Sequence, residues 1–205
     1  MESDRRWLLS DFGGVLSLYQ SDDDSRRMAA ICGMDWPVFK SRYWENRPPY
    51  DAGDISAMEY WRIVLRRNPT AAEAVALMAV DLRSWLNPNE DALVVYRELR
   101  PEVPVAILSN APVELAEVMP SLPWMPEAEV WLFSCYLHVV KPDSAIYRRT
   151  LDALDAKPEN VLLVDDREEN IWAAQQLGLQ AYLYRSGSGL REAVARFLRG
   201  DAIYA

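Results

Sequence analysis

The sequence predicts an α/β protein in which helices flank a parallel sheet and a small helical insertion follows the first strand. Three observations lead there. Short runs of Val, Leu and Ile alternate with longer helical patterns, which is how a helix-covered parallel sheet is written in sequence. These runs are almost continuously apolar, as strands buried on both faces must be. One long stretch after the first run contains helical patterns and no convincing strand.

The first predicted strand is 7–10, reading WLLS. Helical patterns follow at 25–31, 57–66 and 71–85, and segment 46–53, with Pro48, Pro49 and Gly53, reads as an irregular loop. A helix at 90–99 then leads to strands at 105–108 and 130–133, a helix at 144–154 and a strand at 161–164. The next helix, 168–177, is well punctuated. Glu168 and Glu169 complement its positive end, Ile171, Ala174 and Leu177 share a face, and Gly178 stops it. A last strand at 181–184 is joined by Ser186-Gly187-Ser188-Gly189, read as a turn, to a helix at 190–198. The division expected is an α/β core from 1–17 and 87–205, with 18–86 as a helical cap.

Composition narrows the function. The chain has 205 residues, half of them hydrophobic, and a formal net charge of −9. That balance argues against nucleic acid, which is held by clustered Lys and Arg, and against anionic membrane surfaces. His138 is the lone histidine and Cys32 and Cys135 lie far apart, so neither a four-ligand Cys/His zinc site nor a disulfide framework is expected. No apolar run approaches the ~18 residues of a membrane span, and the polar start does not read as a signal peptide. A cytoplasmic location is expected.

In an open α/β sheet, ligands bind beyond the carboxyl ends of the strands. Polar groups fall there repeatedly. Asp11 follows the first strand and Ser109-Asn110 the second, Lys141 lies in the loop after the third, and Asp165-Asp166 follow the fourth. Two adjacent carboxylates repel unless a cation offsets them. With DFGGVL at 11–16, LSN at 108–110, VKPD at 140–143 and VDDREEN at 164–170, the chain resembles the haloacid dehalogenase (HAD) superfamily. The resemblance is nearest to its small-cap, sugar-phosphate-phosphatase-like branch, and it implies a Rossmann-like core.

The resemblance implies a Mg²⁺-dependent phosphatase of a small phosphorylated metabolite. Asp11 would be nucleophile and metal ligand, forming an aspartyl-phosphate. The Gly13 carbonyl and one or both of Asp165 and Asp166 would complete the protein's metal ligands. Ser109, the backbone N–H of Asn110 and Lys141 would hold the phosphoryl group, with Lys141 bridging it to Asp11. Hard oxygen ligands suit Mg²⁺, and a cation must screen the dianion before an anionic Asp attacks.

One position departs from the pattern. Most HAD phosphatases carry a second Asp two residues after the nucleophile, as general acid and base, where this chain has Gly13. Such a loss costs about 10²- to 10⁴-fold in rate. Turnover limited to good leaving groups, an acid supplied by the cap, and no useful catalysis are the three consequences open. Glu45, Asp51 and Asp54 are the candidate cap acids, and Arg47 and Tyr50 are expected to reach the site. His138 reads as a packed or exposed loop residue. The alternatives are a non-catalytic phosphate- and metal-binding regulator, motivated by Gly13, and a 2-haloacid dehalogenase, which the acidic pair disfavours.

Overall fold

The computed structural model describes residues 4–99 and 102–203. In chain order the strands are β1 (Trp7–Ser10), β2 (Val105–Ser109), β3 (Val130–Phe133), β4 (Val161–Asp165) and β5 (Gln180–Leu183). Between β1 and β2 run α1 (Asp22–Ile31), α2 (Trp36–Glu45), α3 (Arg47–Asp51), α4 (Ala57–Leu65), α5 (Ala71–Ser84) and α6 (Glu90–Leu99). The later helices are α7 (Val113–Val118), α8 (Ser134–Leu137), α9 (Ser144–Leu154), α10 (Glu168–Gln175) and α11 (Gly187–Arg199).

All strand pairings are parallel, in the order β3-β2-β1-β4-β5. The chain builds outward from β1 on one side through β2 and β3, then on the other through β4 and β5. The order therefore reverses at β1, and a crevice opens at its carboxyl end.

Strand period divides the apolar residues between the two faces. Leu8, Ile107, Leu162 and Val164 pack toward α6 and α11, while Leu9, Leu108 and Leu163 pack with residues of α9 and α10. The inserted helices have an apolar cluster of their own, with Met28, Phe39, Tyr43, Tyr60, Trp61 and Leu77 at its centre. Tyr43, Tyr60 and Trp61 meet edge-on or tilted, as aromatic quadrupoles favour.

Several local expectations need correction. Segment 46–53 is not an irregular loop, because α3 occupies its centre. Pro48 and Pro49 sit in its first turn, where a missing N–H is tolerated. Helix α2 had no counterpart in the sequence reading; Asp35 caps it through Val38 N and a proline again stands in its first turn. Helix α1 begins at Asp22 rather than 25, with Ser21 accepting from Asp24 N and three aspartates in its first turn. The Ser186–Gly189 stretch is not a separate turn. Ser186 caps α11 and the rest forms its opening.

Candidate active site

The ends of β1, β2 and β4 and the loop after α8 converge on one cavity of about 120 Å³. Asp11 lies just past β1, and its N–H donates to Val164 O at 2.9 Å, which ties it to the end of β4. Its Oδ1 accepts from Phe12 N at 2.6 Å and lies 2.9 Å from Lys141 Nζ. The ammonium also lies 2.7 Å from Asp165 Oδ2, so Lys141 bridges the two carboxylates. Lys141 is only 4% exposed. Burial opposes its charge, yet Asp11 and Asp165 more than offset that and raise its pKa.

The backbone around Lys141 is fixed by Asn110. Its Nδ2 donates to Lys141 O at 3.0 Å and its Oδ1 accepts from Lys141 N at 2.8 Å. The Asn110 side chain is thus committed to positioning Lys141. Ser109, buried at the end of β2, lines the same cavity.

The adjacent acids have different surroundings. Asp165 is fully enclosed and accepts from Lys141 Nζ, from Asn170 Nδ2 at 2.8 Å and from Arg167 N at 3.0 Å. Both carboxylate oxygens of Asp166 are buried with no hydrogen-bond partner among the described residues. Burial pushes the Asp166 carboxyl up to about 6. It pushes Asp11 up to about 8, against the pull of Lys141 and with Asp165 and Asp166 adding to the rise. Asp11, Asp165 and Asp166 each place an oxygen within 4.8 Å of the others. A buried carboxylate without a donor is costly unless a proton or a cation neutralises it, and this cluster has the hard-oxygen chemistry that a divalent cation requires.

The family follows from a sequence model for haloacid dehalogenase-like hydrolases, which matches residues 26–178. The chain belongs to that family. Solved HAD structures share its fold. An enzyme from Bacteroides thetaiotaomicron, an aspartate-to-alanine mutant in complex with magnesium and inorganic phosphate, superposes with a TM-score of 0.73 at 19% identity, covering 89% of this chain and 95% of that one. A HAD-like family hydrolase from Porphyromonas gingivalis gives 0.71 at 21% identity, over 96% and 99%. The L-2-haloacid dehalogenase of Xanthobacter autotrophicus, with chloropropionic acid covalently bound, gives 0.66 at 19% identity, over 93% and 82%. Among curated proteins, bifunctional epoxide hydrolase 2 of Rattus norvegicus is 40% identical over 60 residues. That stretch is 29% of this chain and 11% of the relative, so the match spans a small part of the longer protein.

In this HAD-like hydrolase, a side chain at position 13 would crowd the Trp85 ring. A Cβ on Gly13 would stand 3.2 Å from the Trp85 ring, in the wall of the cavity. Gly14 is constrained more severely. Its φ is +80°, and a Cβ there would lie 2.6 Å from Asp166 Oδ2.

The inserted helices contribute Trp44, Arg47 and Asp51 to the lining, and Trp85, which caps the end of α5, joins them. Arg47 reaches the cavity as expected, but its guanidinium is already engaged. Nε donates to Asp51 at 2.8 Å, and Nη1 to Tyr43 OH at 2.7 Å and Asp81 at 2.9 Å. Tyr50 does not line the cavity; its hydroxyl donates to Glu114 at 2.9 Å. Glu45 accepts from Ser41 on an exposed face, and Asp54 lies 3.6 Å from the exposed His138. Trp85, which meets Trp44 edge-on, escaped the sequence reading, since eight scattered tryptophans have no periodicity to mark the one that stands beside Gly13.

Proposed function

We propose that the protein is a Mg²⁺-dependent phosphatase of a small phosphorylated metabolite, working through an aspartyl-phosphate on Asp11. The observation that carries this reading is the Asp166 carboxylate, buried without a donor beside Asp11 and Asp165. Asp11, Asp166 and the Gly13 carbonyl would hold the metal. Asp165, whose oxygens are taken by Lys141, Asn170 and Arg167 N, would act by orienting Lys141. Mg²⁺ supplies charge that screens the phosphate dianion from its nucleophile.

The remaining groups follow from placement. Lys141, held against Asp11, would bind a phosphoryl oxygen and stabilise the charge transferred to it. The Ser109 hydroxyl and the Asn110 N–H would orient the other oxygens. The cavity is well below the ~300–1,000 Å³ of drug-sized sites, which favours a small substrate. The partners of the reaction are then the metabolite and water, with no nucleic acid or membrane involved.

The test is phosphate release from a panel of small phosphate monoesters, with Mg²⁺, with chelator, and in Asp11→Asn. The reading expects turnover that needs Mg²⁺ and vanishes in the variant. Undiminished turnover by Asp11→Asn, or metal-independent halide release from a 2-haloacid with no phosphate release, would contradict it.

A further inference from the structure

On the phosphatase reading just given, we propose that Asp51 is the general acid and base of the reaction, supplying from the inserted helices the carboxyl that Gly13 lacks. Three carboxylates line the cavity among the described residues: Asp11, Asp51 and Asp166. Asp11 is taken as the nucleophile and Asp166 by the metal, which leaves Asp51 without an assigned task. The other acids of this region are elsewhere. Glu45 pairs with Ser41 beside a shallow surface groove, Asp54 faces His138, and Asp81 is turned toward Arg47 and Tyr43.

Asp51 is also held as a positioned acid must be. It ends α3, and its carbonyl accepts a hydrogen bond from Ser134 Oγ, at the start of α8 beyond β3. Gly53, with φ +71°, lets the chain pass so close to Cys135 that a Cβ would lie 2.5 Å from its carbonyl oxygen. These contacts fix the segment carrying Asp51 against the core that carries Asp11. Arg47 Nε holds one carboxylate oxygen, and the side chain is 13% exposed. Burial, with a smaller contribution from Asp81 and against the pull of Arg47, brings the Asp51 carboxyl up to about 6, in the range where one group serves as acid and then as base.

The two half-reactions balance around this one proton. As an Asp11 oxygen bonds to phosphorus, the bond from phosphorus to the ester oxygen breaks and Asp51 gives its proton to that oxygen, releasing the alcohol. Water then attacks the phosphorus. Asp51 takes the water's proton, the phosphorus–Asp11 bond breaks with its electron pair returning to the carboxylate, and inorganic phosphate leaves.

The experiment compares kcat/KM of the intact protein and Asp51→Asn, with Mg²⁺, on an alkyl phosphate and on an acyl phosphate, whose leaving group needs no proton. The expected result is a loss of about 10²- to 10⁴-fold on the alkyl ester and less than about tenfold on the acyl phosphate. The alkaline limb of the alkyl-ester pH profile should also disappear in the variant. Asn keeps an oxygen for Arg47; should it still fail to fold, Asp51→Glu takes its place, with the alkyl ester again expected to suffer more. Equal losses on both substrates, or none on either, would overturn the assignment while leaving the phosphatase reading intact. No turnover of any ester by the unaltered protein would overturn both.

Discussion

Asp165 and Asp166 are neighbours in sequence with opposite surroundings. Three donors meet Asp165, and among the described residues none meets Asp166. On the proposed mechanism, Asp166→Asn should raise the Mg²⁺ concentration for half-maximal turnover by about 10- to 100-fold or more, read from metal titrations of phosphate release. Gly13 gives the converse case. Because a Cβ there would stand 3.2 Å from the Trp85 ring and the ring must shift to admit a carboxylate, Gly13→Asp should lower stability by about 1–3 kcal/mol, measured by urea unfolding. The residues at the strand ends were legible because each follows an apolar run whose end the sheet fixes. The difference between the two acids was not, since it depends on Asn170 and Lys141 arriving from other elements. Trp85 was equally silent: nothing in its local sequence points across the fold to Gly13.

At the scale of elements, strands and flanking helices were readable where pattern and burial agree. Strand β4 is enclosed on both faces and its sequence, VLLVD, is apolar until its last residue. Among the inserted helices α4 and α5 fall where their sequence pattern puts them, whereas α2 and α3 were missed. Prolines in the first turns of α2 and α3 look like loop residues until the helical start is known. Helix α5 shows the capping logic most fully. Thr70 accepts from Glu73 N at 3.2 Å, while Glu73 accepts from Thr70 N at 2.8 Å. Thr70→Ala should cost about 1 kcal/mol, seen as a lower denaturation midpoint at unchanged slope. It should leave kcat nearly unchanged, because neither Thr70 nor Glu73 lines the cavity.

For the whole molecule, the net charge of −9 argues against polyanionic partners but does not describe the site. There, Lys141 and a bound cation would set the local field against three acids. No helix among the described residues is long and apolar enough to cross a membrane. Burial raises the Asp11 and Asp166 carboxyls to about 8 and about 6 without metal. A carboxyl raised above its unfolded value contributes stability that is complete below about pH 4 and is lost as pH rises through the folded value. The metal-free protein should therefore lose this contribution between about pH 4 and 8, whereas Mg²⁺ competes with protons for the same oxygens. Melting curves should show a larger Mg²⁺-induced rise in Tm at pH 8 than at pH 5.

Transfer of a phosphoryl group to Asp11 is the central claim, and mass spectrometry after acid quench reads it directly. With Mg²⁺ and an acyl or aryl phosphate that the protein turns over, the peptide containing Asp11 should carry a phosphoryl group that decays once substrate is exhausted. Sustained turnover with that peptide unmodified, or an undiminished phosphorylated peptide in Asp11→Asn, would contradict the account.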